Sequence, residues 1–140
     1  MRQIHKTALK QILQTVYFRG AALTVQTYNI NSDDHFPYVF VTSGPMESIS
    51  FTNVEHKRLC VYEINCVASL EDNTLDGETM LDELEDLIID AVDLAAVGDN
   101  NKWLDIRVTG STDPFQYTDN SIIKAIKIQI INIKSTPQPL

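Results

Sequence analysis

The sequence has no long hydrophobic run. Its apolar stretches are only a few residues each, against the roughly 20 consecutive residues a helix needs to cross a bilayer. The opening residues, MRQIHKTALKQILQ, are polar and amphipathic and lack the apolar core of a signal peptide, so neither a membrane protein nor a secreted precursor is expected. Glycine is scarce and scattered: Gly20, Gly44, Gly77, Gly98 and Gly110 stand alone, which excludes a glycine-rich phosphate loop. There is no Gly-x-Ser-x-Gly elbow. Three isolated histidines (His5, His35, His56) and two cysteines give no zinc spacing. Positive charge is also short, with 11 Lys and Arg against 19 Asp and Glu and a net charge of -8. No basic stripe stands ready for a phosphate backbone.

Cys60 and Cys66 fall in one segment that reads as a strand. Six residues at about 3.3 Å each separate them by roughly 20 Å, whereas a disulfide needs Cα atoms within about 7 Å. Two buried thiols are expected. Neither cysteine has a sequence cue to a histidine partner. No catalytic residue, cofactor or metal is therefore assigned, and the chain is not expected to be an enzyme.

What is present is the pattern of one α+β domain. At 140 residues, with 44% hydrophobic residues, the chain is the size of a single domain with a single core. Ile4, Ala8, Leu9, Ile12, Leu13 and Val16 follow the 3, 4 spacing of a helical face, and Gly20 is the expected stop. Leu23 to Tyr28 reads as a strand, Asn29 to His35 as a turn, and Tyr38 to Thr42 as a second strand entered through Pro37. Ser43 to Lys57 carries a Gly-Pro break and weak alternation, so a long hairpin or a flexible loop is expected. From Leu59 to Leu70 the chain alternates, with Cys60, Tyr62, Ile64, Cys66, Ala68 and Leu70 on one face, as in a central strand.

A second helical stripe, Met80, Leu84, Leu87, Ile88, Ala91, Leu94 and Ala95, predicts a helix over residues 79–97 with Gly98 as its stop. Trp103 to Val108 and Ser121 to Lys134 complete the strands, the latter alternating Ile126, Ile128 and Ile130 with Lys127 and Gln129. The expected architecture is a largely antiparallel or mixed β-sheet with both helices packed on one face. The domain spans residues 1–134, and residues 135–140 (STPQPL before the end, with two prolines) form an extended or disordered tail.

Charge has more contrast than any other feature. Residues 71–99 hold 11 of the 19 acids and no Lys or Arg, which reads as an unpaired negative face. Asp82, Glu83, Asp86, Asp90 and Asp93 are its candidate residues. The face is either an electrostatic surface for a basic partner, or one that repels DNA in passage, or simply a solvated helix face whose early acids suit the helix dipole. A cation site is disfavoured, because hard cations need oxygen ligands converging from several directions and one helix presents carboxylates in a row. Phe115 and Tyr117, in the polar segment Gly110 to Asn120, are candidate interface anchors.

The amphipathic first helix, the segment Phe36-Pro37-Tyr38 opening a strand, the long alternating strand before an acidic helix and the final Ile-rich strand together resemble the tail terminator, or tail-to-head joining, proteins of long-tailed bacteriophages, the family of the minor tail protein U of lambda-like phages. The likeness spans helix one to Lys134 and rests on element order, length and charge. It implies a structural virion protein, assembled in the host cytoplasm and resident in the tail. Such a protein forms a homo-oligomeric, hexameric ring that caps the tail tube and meets the head connector, with DNA only as passing cargo and no membrane partner. The loops that the resemblance assigns to stacking are Ser43 to Lys57 and Gly110 to Asn120, with Met46, Ser48, Ile49, Phe51 and Asn53 as contact residues beside Phe115 and Tyr117. A connector or tube subunit has similar composition, and an acidic binding module for a basic partner is the other reading of the same charge.

Overall fold

The computed structural model describes residues 2–26, 37–50, 55–70, 77–97, 103 and 105–135, with side chains at 3–25, 37–46, 58–70, 77–97, 103 and 105–132. Helix α1 (Arg2–Gln14) is followed by a small hairpin, β1 (Tyr17–Phe18) and β2 (Ala21–Ala22). Then come β3 (Thr24–Gln26), β4 (Tyr38–Ser50), β5 (Glu55–Ser69), helix α2 (Gly77–Ala96), β6 (Asp105–Ser111), β7 (Phe115–Thr118) and β8 (Ser121–Ser135). The main sheet runs β3-β4-β5-β8-β6, with β7 continuing beside β8. Every neighbouring pair is antiparallel except β3 with β4. The architecture is α+β with a mixed, mainly antiparallel sheet, as the patterning predicts.

Both helices cover one face of this sheet. Leu9 and Leu13 of α1 and Leu81, Leu84, Ile88 and Val92 of α2 join Val39, Val41, Tyr62, Ile64, Cys66 and Ile126, Ile128 and Ile130 in one buried core. The period of 2 in β5 and β8 and the 3.6-residue stripes of the helices deliver these side chains to the same layer. The opposite face carries a smaller cluster of Tyr38, Phe40, Val67 and Ile123, with Tyr117 packed on it. Asn65 crosses that face, donating through Nδ2 to the Thr42 hydroxyl at 3.0 Å.

Several sequence expectations are corrected. Helix α1 ends at Gln14, where the Thr15 hydroxyl donates to the Ile12 carbonyl at 2.6 Å. Gly20 instead forms the β1–β2 turn with Arg19, at φ +83° and +53° respectively, the left-handed pair that a two-residue hairpin requires. Leu70 lies beyond the end of β5 and is exposed. Of the two readings of residues 43–57, the long hairpin holds over the described residues 43–50 and 55–57. β4 continues to Ser50 across a bulge at Gly44 and Pro45, where the register shifts between Ser43 and Met46, and pairs with β5 back to His56. The Gly-Pro pair is thus absorbed as a strand irregularity rather than a break. The segment from Gly110 to Asn120 likewise contains the end of β6 and the whole of β7, whose polar sequence conceals its pairing with Ile122 and Ile123 of β8. The strand expected over Trp103 to Val108 is β6, which begins at Asp105 and extends to Ser111. The turn expected at 29–35 and the tail at 136–140 lie outside the described residues, while Ser135 belongs to β8.

Candidate interaction surfaces

Helix α2 is 20 residues long, about 30 Å at 1.5 Å per residue, and its acids divide into two groups along that length. Toward its N-terminal half the negative charge is matched by cations from elsewhere in the fold. Lys124 of β8 is only 12% exposed and lies 3.3 Å from Asp82 while also binding Glu85. The Ser111 hydroxyl donates to Glu85 at 2.9 Å, and Arg19 in the β1–β2 turn reaches Glu83 at 3.1 Å. The expectation of an unpaired face is therefore corrected for Asp82 and Glu83. A linear sequence gave no view of Lys124 and Arg19, which stand more than 40 residues away. Burial alone would lower the pKa of Lys124, but its hydrogen bonds to Glu85 and Asp82 outweigh this and hold it above its ordinary value. Asp86, Asp90 and Asp93 form no ion pair among the described residues.

Beside this second acidic group lies an apolar groove of about 540 Å³ between the C-terminal parts of α1 and α2. Ile12, Tyr17, Leu87, Ala91, Leu94 and Trp103 line it, and Asp90 is its one charged lining residue among the described residues. Leu94 is 74% and Tyr17 64% exposed. At the opposite end of α2 is a smaller cavity of about 330 Å³ bounded by Gly77, Leu70, Phe115 and Ile122, where Phe115 is 55% and Leu70 45% exposed. The two surfaces are unlike in lining, the first mainly apolar and the second mixed, with Glu78 and Gln116 beside its apolar residues. They are separated by the 17 residues from Gly77 to Leu94, roughly 25 Å of helix.

The other candidate residues are spread over both faces. Met46 is 45% exposed on β4. Ser48 and Ile49 take strand positions opposite Arg58 and Lys57, whereas Phe51 and Asn53 lie outside the described residues. Tyr117 is half-buried, tilted over Phe40 at 6.5 Å between ring centroids, so it packs within the chain where Phe115 faces solvent. Sequence reading missed the α1–α2 groove because Leu94, Ala91 and Leu87 read as core by spacing, and only the tertiary crossing of α1 leaves Leu94 uncovered.

Both cysteines are free and buried. Burial, followed by the negative charge of Glu85, pushes the Cys66 thiol up to about 12, which suppresses the thiolate needed of a nucleophile. Among the described residues no helix is long and apolar enough to cross a membrane, and no group of three or more His, Cys, Asp or Glu is gathered to hold a metal ion. No protein-family model matches the chain, and comparison with curated proteins finds no match.

Proposed function

We propose that this chain is a structural subunit that assembles into a homo-oligomeric ring, caps the tail tube of a long-tailed bacteriophage and joins it to the head connector. The observation that carries this reading is the pair of unlike surfaces at opposite ends of α2, a mainly apolar one at Tyr17–Leu94 and a mixed one with exposed apolar residues at Leu70–Phe115. A two-fold dimer uses one self-complementary patch, whereas unlike patches on one chain join head to tail and generate rings when the rotation closes. The resemblance in element order supplies the tail context and the expectation of six subunits. In this role the protein works by geometry, with no reacting group assigned.

Electron microscopy of the purified chain, alone and with tube subunits, tests the reading. Rings of uniform size that bind one end of a tube are the expected result. A chain that stays monomeric at high concentration and leaves tubes uncapped overturns it.

A second reading is favoured by the absence, among the described residues, of an ion pair to Asp86, Asp90 or Asp93: an acidic module for a basic protein partner. Association through that face weakens steeply with salt, and salt-insensitive binding disposes of it.

A further inference from the structure

The α1–α2 groove is open rather than enclosed. Tyr17 and Leu94 at its edge are mostly exposed, and Ile4, itself 57% exposed, continues the α1 row of Ala8 and Ile12 one turn earlier. A small ligand is normally held in a pocket that buries most of its surface, whereas a trough with such exposed edges suits a longer occupant. Its long walls are α1 and α2, whose backbone groups bond within each helix, so the groove offers no free N–H and C=O row to an added strand. An occupant has to satisfy its own backbone, which a helix does.

The rim along α2 is charged in one sense. Asp86, Asp90 and Asp93 are exposed, and at spacings of 4 and 3 they form one row on the helix beside the apolar row of Leu87, Ala91 and Leu94. Each row covers seven residues, about 10 Å or two turns. Asp90 lines the groove itself, and none of the three acids has an ion pair among the described residues. Asp93 stands in the last turn, which holds no basic residue, and opposes the macrodipole, so the helix alone gives no reason for it. The facing wall brings Gln11 and Thr15, while Lys6 and Lys10 fall on the other flank of α1 by their spacing. Lys102, next to Trp103 in sequence, lies outside the described residues, and a single cation there would leave a row of three acids negative.

A second copy of the chain does not offer the complement among its described side chains. Arg19, Arg107 and Lys124 are ion-paired, Lys127 stands opposite Glu63 across β5 and β8, and Arg58 is partly buried. Lys6 and Lys10 are one turn apart but on the flank of α1 away from Ile4. Two copies set groove to groove would bring acid row against acid row.

We infer that the α1–α2 groove receives an amphipathic helix of another protein, laid along α2. Its apolar side chains at i, i+3 or i+4, and i+7 fill the groove, and Lys or Arg at the same spacing beside them meet Asp86, Asp90 and Asp93. This rests on the acidic-module reading above, whose partner it describes, and it competes with the ring reading for the same end of α2.

The chain has a single tryptophan, and it lines the groove, so Trp103 fluorescence reports occupation by a peptide that lacks tryptophan. The probe is a capped peptide of about 15 residues, long enough to form a helix, built of leucine, alanine and lysine with leucines and lysines in two adjacent rows. One control scrambles the same residues off a common face; the other carries glutamate for lysine. The amphipathic lysine peptide is expected to bind one to one and shift Trp103 emission, with both controls at least about ten-fold weaker. Asp86→Asn, Asp90→Asn and Asp93→Asn combined, and separately Leu94→Gln, should each weaken it by at least about ten-fold. Leu94 is 74% exposed, so its replacement leaves the fold intact, as circular dichroism can check. Removing three charges elsewhere, with Glu78→Gln, Asp113→Asn and Asp119→Asn, should keep affinity within about two-fold at physiological salt, where screening is short-ranged. A lysine peptide that binds no better than its scramble, or equally well after Leu94→Gln, overturns the inference and leaves the acidic-module reading. Absence of binding by either lysine peptide at low salt overturns both. A parent chain that self-associates and loses that association with Leu94→Gln seats a second copy in the groove, which overturns the inference and leaves the ring reading standing.

Discussion

His5 Nδ1 lies 2.7 Å from the hydroxyl of Tyr62, a bond between the first turn of α1 and the middle of β5 that closes 57 residues of chain. Both residues are fully buried. The ring's Nε2 lies 3.2 Å from Asn132 Oδ1; with Nε2–H donating to that carbonyl oxygen, Nδ1 is the acceptor and the tyrosine hydroxyl the donor. The edge-to-face contact of the two rings, 5.5 Å apart at 89°, adds aromatic packing to the bond.

Tyr62→Phe keeps that packing and removes the donor at Nδ1. Leaving a buried acceptor without this bond costs about 1–3 kcal/mol, so urea unfolding should give a lower midpoint at an unchanged slope. His5→Phe removes the same bond from the other side. A double-mutant cycle is expected to show the two losses to be strongly non-additive; full additivity would mean that the bond contributes nothing to α1 docking.

Lys124 and Cys66 are cross-strand partners on the helix-covered face, and the raised pKa of each makes the fold lose stability at alkaline pH. The Lys124 pKa is raised in the folded chain, so its stabilisation is complete below its ordinary value near 10.5 and is lost as pH rises through the folded value. Cys66 rises from 9.0 to about 12, so the unfolded chain ionises first and stability declines from about pH 9 upward. Unfolding free energy should therefore be flat with respect to these two groups near pH 7–8 and fall above pH 9. Cys66→Ala is expected to delay the fall to the lysine window, and Lys124→Met to remove the later part while lowering stability at neutral pH by about 1–3 kcal/mol, because Glu85 is left without its cation. The native Cys66 thiol should also resist alkylation at pH 8 until the protein is unfolded.

At Gly77, the first residue of α2, a Cβ would stand 2.8 Å from Ile122 Cδ1 and 3.0 Å from the Ser69 carbonyl oxygen. The isoleucine tip can turn aside, but the carbonyl belongs to the end of β5 and cannot move without the strand. Gly77→Ala, which helix propensity alone would favour, is instead expected to destabilise by about 1–3 kcal/mol through overpacking. A rise in melting temperature would show that the helix start shifts freely.

The layer of Tyr62, Ile64 and Cys66 against Ile126 and Ile128 was legible because each strand alternates and one face of each helix is apolar. Phe115 was legible as an exposed anchor in a polar segment, though not as part of a strand, since β7 draws its pairing from β8 rather than from its own composition. The division of the acidic face was not legible at all. Whether an Asp on α2 is neutralised depends on whether β8 or the β1–β2 turn brings a cation beneath it, and spacing within the helix carries no trace of that. The groove was hidden for the same reason: Leu94 continues a core stripe in sequence past the point where tertiary packing ends.

That division makes Asp93 informative. Asp82 and Glu83 lie within ion-pair distance of cations in the fold, and Asp82→Lys sets a cation beside Lys124, so its effect on binding would be confounded by lost stability. Asp93 has no such pair among the described residues and sits in the last turn of α2, where its charge opposes the helix dipole. Asp93→Asn is expected to raise stability by about 0.3–1 kcal/mol in low salt, fading as ionic strength screens the dipole, while weakening association through the acidic face measured on the same preparation. Stability and assembly moving in opposite directions is what a charge retained for a partner predicts. A variant that gains stability and assembles as well as the parent chain would return Asp93 to the solvated surface.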